Sequence, residues 1–159
     1  MHCVLAASGW LDLKNPTEAL IELDQVSGEA RNHPDVLEMR WMICESVADW
    51  AGALAAARAI IQGTPEQASG WLHQAYALRR APDGGLELAL KTLLAVAPLF
   101  PDEPLIAYNL ACYQTQLGQL AEAWEWVLKA KSLLGKKKLL KLAMSDPDLA
   151  PLMDRLGKL

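Results

Sequence analysis

The side chains best suited to general-base or nucleophile work are three histidines, His2, His33 and His73, and three cysteines, Cys3, Cys44 and Cys112. Their spacing does not assemble them. The cysteines are odd in number and far apart, with no CxxC pair and no histidine at metal-ligand distance along the chain, so they read as free thiols and no metal is expected. Cys44 falls at an inward, apolar position and Cys112 on a helix side that faces a groove. There is no glycine-rich phosphate loop, nucleophile elbow or HExxH, and Gly84-Gly85 reads as a turn. The expectation is therefore a non-enzyme with no catalytic residue and no cofactor. A hydrolase using His73 and Cys112 is the competing reading.

Recognition chemistry is better represented. Arg79 and Arg80 could meet an anion, although a solvated helix end placing arginine near the C-terminal dipole explains them equally well. Lys129, Lys131, Lys136, Lys137, Lys138 and Lys141 form the one basic cluster. In a chain of net charge −4 with no reader motif they read as a solvated helix terminus, and no nucleic-acid partner is expected. Charge is uneven: residues 1–66 carry 4 basic and 10 acidic side chains, and the remainder 11 and 9. Of the six tryptophans, Trp41, Trp50 and Trp71 fall in or beside packing positions, and only one of Trp124 and Trp126 can face inward.

The elements that must position these groups are set by a ruler of small residues. Ala19, Ala53, Ala89 and Ala123 follow one another at intervals of 34, 36 and 34, each near the start of a second helix, and Pro65 and Pro101 lie twelve residues past Ala53 and Ala89. Intervals of that size belong to helical repeat arrays, and 34 is the tetratricopeptide period. Alanine suits such positions because two antiparallel helices approach closely only where no long side chain separates their backbones. The period predicts helix pairs near 2–13 and 16–27, 35–48 and 50–62, 66–80 and 85–97, and 104–117 and 120–133. Breakers stand between them at Asn15-Pro16, His33-Pro34, Gly63-Thr64-Pro65, Pro82 to Gly85 and Pro101-Asp102. The Pro82 turn holds a two-residue expansion and should lie at the surface. Beyond Lys138 come Leu139, Leu140, Leu142 and Ala143, then Asp146-Pro147-Asp148 and the three-to-four spacing of Leu149, Leu152, Met153 and Leu156. This tail should close the stack.

At 52% apolar and 21% charged, with almost no alternating strand pattern, the 159 residues read as one all-α domain. Every apolar run is interrupted well before the roughly 18 to 20 residues of a membrane helix, so no membrane insertion is expected. Val4 to Ala7 lacks the basic lead-in of an export signal, which leaves a cytoplasmic location as the expectation.

The repeat slots carry a specific resemblance. The third unit reads Trp71, Gln74-Ala75, Leu78, Ala89, Leu93 and Pro101; the fourth Ala107, Leu110-Ala111, Gln114, Gly118, Ala123 and Val127; the second Leu37, Arg40-Trp41, Cys44, Ala53, Ala57 and Pro65; the first, weakest, Cys3, Ala6-Ala7, Trp10, Ala19 and Leu23. Tyr108-Asn109-Leu110-Ala111-Cys112-Tyr113 through Gly118, followed by Asp146-Pro147-Asp148-Leu149, resembles the closing repeat and tail of bacterial tetratricopeptide-repeat (TPR) proteins. The resemblance implies a right-handed superhelical solenoid of antiparallel helix pairs, with repeats near 1–33, 34–65, 66–101 and 102–135 and C-terminal capping helices over 136–159.

It further implies a concave face, lined by the first helix of each pair, that holds a protein or peptide segment, as a scaffold, adaptor or chaperone would. Glu38, Met42, Leu72, His73, Tyr76, Arg79, Arg80, Tyr108, Asn109, Cys112 and Gln116 would line it. Some TPR domains clamp a C-terminal carboxylate with Lys and Asn; here Glu38, Leu72 and Tyr108 stand in those places, so that ligand is not expected. Self-association is the second partner reading, because Val4, Leu5, Ala6, Trp10, Leu11 and Leu13 surround the first helix with apolar groups.

Overall fold

A computed structural model describes residues 2–159. The described residues form ten α-helices joined by turns, three of them 3-10 turns: α1 His2–Asp12, α2 Pro16–Asp24, α3 Pro34–Ser46, α4 Trp50–Gly63, α5 Ala68–Leu78, α6 Leu86–Val96, α7 Pro104–Gln116, α8 Leu120–Leu134, α9 Lys136–Met144 and α10 Met153–Leu156. There is no strand among them. The eight helices expected from the alanine ruler are present, with ends displaced by three residues at most. The 3-10 turn Gly28–Asn32 was not anticipated, because Ser27-Gly28 gives only a turn signal. The chain divides into two compact units, Met1–Asp83 and Gly84–Leu159, at the Pro82 turn.

Four helical segments start by one local rule. A polar residue precedes proline, its side chain accepts a hydrogen bond from a free N–H of the first turn, and the proline occupies a position that needs no donor. Asn15 Oδ1 accepts from the Glu18 N–H at 3.3 Å and His33 Nδ1 from Asp35 at 3.2 Å. Glu103 Oε1 accepts from Leu105 at 3.1 Å and Asp146 Oδ1 from Asp148 at 3.0 Å.

The turns inside helix pairs follow another. Lys14, Ala48 and Gly118, each five residues before a ruler alanine, have φ of 59°, 56° and 76°. Their N–H groups donate three residues back, to Leu11, Glu45 and Thr115, and the N–H groups of Asn15, Asp49 and Gln119 donate five back, to Trp10, Cys44 and Gln114. This is the Schellman arrangement that ends a helix on a left-handed residue. The expanded Pro82 turn departs from it, entering α6 from Gly85 at φ 120°.

Ala19, Ala53, Ala89 and Ala123 are each 0% exposed, and each donates its N–H to the residue four back, the first regular bond of its helix. In the first unit α1 packs on α2, α3 on α4 and α4 on α5. Ala7, Ala19, Leu23, Val36, Met39 and Ile43 form one buried cluster, with Val4, Trp10 and Leu11 against it. Gly70 of α5 meets α4 so closely that an added Cβ would lie 2.9 Å from Ile60 and Ile61 side-chain atoms. In the second unit α7 packs on α6 and α8, burying Leu110, Ala111 and Tyr113.

The tail closes the second unit, though not as a single helix. It is α9, a 3-10 turn over Pro147–Leu152 with Pro151 inside it, and the single-turn α10. Pro151 cannot donate an α-helical bond, which accounts for the tighter turn. Leu139, Ala143, Leu149, Leu152 and Leu156 are buried, and the 3-10 turn lies on α7. Trp124 is the inward member of its pair and carries the Arg155 guanidinium 4.0 Å above its ring, while Trp126 is half-buried.

Candidate functional site

Within the first unit, α3 and α5 bring several expected residues together. Glu38 Oε2 lies 2.6 Å from His73 Nε2, and both side chains are partly buried. The His73 ring stacks on Trp41 with centroids 3.8 Å apart and planes 16° from parallel. The hydrogen bond from His73, set against the cost of burial, holds the Glu38 carboxyl below its usual range.

One turn along α5, Tyr76 contacts Trp41 edge-on at 5.8 Å and directs its hydroxyl at Glu45 Oε1, 3.5 Å away. Arg80 sits 3.6 Å over the Tyr76 ring and 5.3 Å from that of Trp50, and donates to the Tyr76 carbonyl at 3.1 Å. Its cation is thus already committed to aromatic faces. Arg79 caps α5; Leu72 is half-buried and Met42 is 46% exposed.

Beside this ladder lies an open cleft of 880 Å³. Trp41, Met42, Glu45 and Tyr76 form one side of its lining, and Leu11, Asp12, Lys14 and Pro16 the other. Trp41 stands in a repeat slot where the pattern asks for a small residue. The indole departs from that pattern: it packs on His73 and Tyr76 and also forms part of the cleft wall.

The second unit treats its expected site residues differently. Tyr108 and Cys112, expected on an open face, are 7% and 2% exposed, because the tail covers that side of α7. The Tyr108 hydroxyl donates to Asp146 Oδ2 at 2.9 Å and the Cys112 thiol to the same oxygen at 3.5 Å. Burial first, then the neighbouring thiol and carboxylate, push the Tyr108 hydroxyl above its ordinary pKa. Gln116 Nε2 donates to the Asp148 carbonyl at 2.9 Å, and Asn109 is half-buried. The sequence placed the tail at the end of the stack; the missing element was Asp146, which anchors it to the face of α7.

Neither Cys112 nor Cys44 is poised as a nucleophile. Cys112 is engaged by Asp146, and Cys44, half-buried rather than in the core, has its thiol pushed up by burial and then by Asp49. Cys112, Asp146 and Asp148 bring three potential metal-ligand atoms within 4.8 Å of one another. Asp146 already spends both its oxygens on the Tyr108 hydroxyl, the Cys112 thiol and the Asp148 N–H, the work of a tail anchor.

No protein-family model matches the sequence, and no curated protein matches it. Among solved structures, the MamA RS-1 ArsTM double mutant is similar at a TM-score of 0.68 with 17% identity, over 91% of this chain and 76% of that one. MamA contains tetratricopeptide repeats. The fold is tetratricopeptide-like. No described helix is long and apolar enough to cross a membrane.

Proposed function

We propose that this chain is a non-catalytic protein-interaction module, a scaffold or adaptor of the cytoplasm, and that it holds an extended segment of a partner protein. The observation that carries the reading is the cleft of 880 Å³ beside α3 and α5, where Trp41, Met42 and Tyr76 offer apolar and aromatic surface next to Asp12, Lys14 and Glu45. Aromatic side chains at such positions supply contact area at low entropic cost. Repeats near 1–33, 34–65, 66–101 and 102–135, with a bacterial-type closing repeat and a cap over 136–159, are the organisation proposed with it. Of the residues expected to line a groove, Glu38, Met42, Leu72, His73, Tyr76, Arg79 and Arg80 belong to this proposal, whereas Tyr108 and Cys112 serve the tail.

Capture of partners from a lysate by the intact chain, compared with Met42→Arg, tests it. The variant places a charged side chain in the cleft without touching the core, so the helical circular dichroism should persist while the captured set is lost. Equal capture by both forms moves the site elsewhere. A second reading, self-association, draws on Leu5 within α1 and Leu13 just past its end, 71% and 72% exposed. Light scattering of the Leu5→Glu, Leu13→Glu variant separates the two: a monomer before and after substitution dismisses it.

A further inference from the structure

Two carboxylates in the cleft have little to do within the fold. Asp12, exposed at the end of α1, takes part in no hydrogen bond or ion pair among the described residues, and Glu45 on α3 accepts only the long contact from Tyr76. Two cations of the same unit are committed elsewhere. Arg40, on α3, is bound to Asp24 at 2.7 Å, and Arg80 is held over Tyr76 and Trp50. Lys14 alone lines the same space as the two acids. The surrounding unit deepens the imbalance, with 6 basic against 11 acidic side chains over residues 1–83.

Resting on the interaction-module reading, we propose that the cleft is specific for a basic extended segment, one that presents lysine or arginine next to apolar residues. The carbon stem of such a side chain covers Trp41 and Met42 while its charged head reaches Glu45 and Asp12, the division of labour long cationic side chains adopt at apolar surfaces. The same unit already performs this chemistry on itself: Arg80 lies over the aromatic faces of Tyr76 and Trp50. An acidic segment would meet two uncompensated carboxylates and one lysine, and like charge at an interface is rejected more strongly than unlike charge is rewarded.

The test uses the intact chain and short fluorescein-labelled peptides of the repeat Gly-Arg-Leu-Ser, with Gln or Glu replacing Arg in two matched controls, followed by fluorescence anisotropy. The Arg peptide should bind about tenfold more tightly than the Glu peptide at low salt and lose most of that margin near 0.5 M salt, where the Debye length falls to about 4 Å. Asp12→Asn, Glu45→Gln should weaken the Arg peptide about fivefold, the worth of two partly exposed charge contacts. Glu29→Gln, Glu66→Gln removes as much charge from exposed positions outside the cleft lining. It should leave binding unchanged, and an equal loss there would reduce the effect to the general field of the protein and overturn the proposal. Equal binding of all three peptides, abolished by Met42→Arg, overturns the basic preference and leaves the interaction module standing. Failure of every peptide to bind overturns the preference and counts against the module as well.

Discussion

α3 and α7 both open a helix pair, and both begin at a capped residue followed by proline. α3 leaves Met42 and Glu45 in a cleft, whereas α7 has the corresponding side taken up by the chain's own tail, through Asp146 on Tyr108 and Cys112 and the Asp148 carbonyl on Gln116. The same kind of helix face can thus be a recognition surface or a docking surface for the tail. What separates them is the chemistry offered. α7 presents hydroxyl, thiol and amide donors that one aspartate and its neighbours can satisfy locally, while α3 presents in the cleft Glu45, which accepts only the long contact from Tyr76.

The largest expected effect breaks the closed side. Leu149 is fully buried in the 3-10 turn that lies on α7. Leu149→Ala should cost about 2 to 5 kcal/mol, by lost burial and the cavity left behind. Urea unfolding followed by hydrogen exchange should place the loss in residues 84–159 and leave α3 and α5 protected as before. Full retention of stability would mean that the tail is a detachable strap, and that α7 offers a face like that of α3.

The regular features of the fold were legible because they repeat. The alanine ruler measured helix crossings, and proline after a polar residue marked the helical starts at Pro16, Pro34 and Pro147. What could not be read was how far the ends of a helix pair are shared with segments remote in sequence. Tyr108 and Asp146 are 38 residues apart and meet through a single hydrogen bond, which no periodicity announces. The packing of Trp41 illustrates the same point. Slot logic asks what a repeat position usually packs against, whereas the stacking of Trp41 on His73 depends on a residue of the next first helix. Cys112 was read from its helix face alone, and that face is covered by chain lying beyond α8.

A second comparison lies in the turns. Gly118 takes its left-handed conformation freely, but Ala48 holds φ 56° with a Cβ, a conformation that costs an L-residue about 1 to 2 kcal/mol. Part of that is returned because glycine loses more chain entropy on folding. Ala48→Gly should therefore raise stability by about 0.5 to 1 kcal/mol, and Gly118→Ala should lower it by a similar amount. Thermal unfolding of the two variants measures both shifts. Opposite signs are the expectation; destabilisation by both would show that Ala48 owes its place to contacts of its methyl group and not to the turn.

The smallest effect concerns pH and belongs to the open side alone. The hydrogen bond from His73 sets the folded-state pKa of Glu38 below its ordinary value of 4.5. A depressed carboxylate adds stability above its unfolded pKa and loses it as the pH falls through the folded one. The Glu38 contribution is thus fully present at neutral pH and disappears on acidification below about 4.5, the region where the unfolded carboxyl takes up its proton. Glu38→Gln keeps the size of the side chain and removes the titration. Its unfolding free energy should be lower than that of the parent at pH 7, and the difference should shrink as the pH falls through the lowered folded-state pKa of Glu38, where the charge-assisted bond to His73 is lost. A gap that stays constant across that range would assign the worth of Glu38 to packing against α5, and the ladder of Glu38, His73 and Trp41 would then be held by stacking rather than by charge.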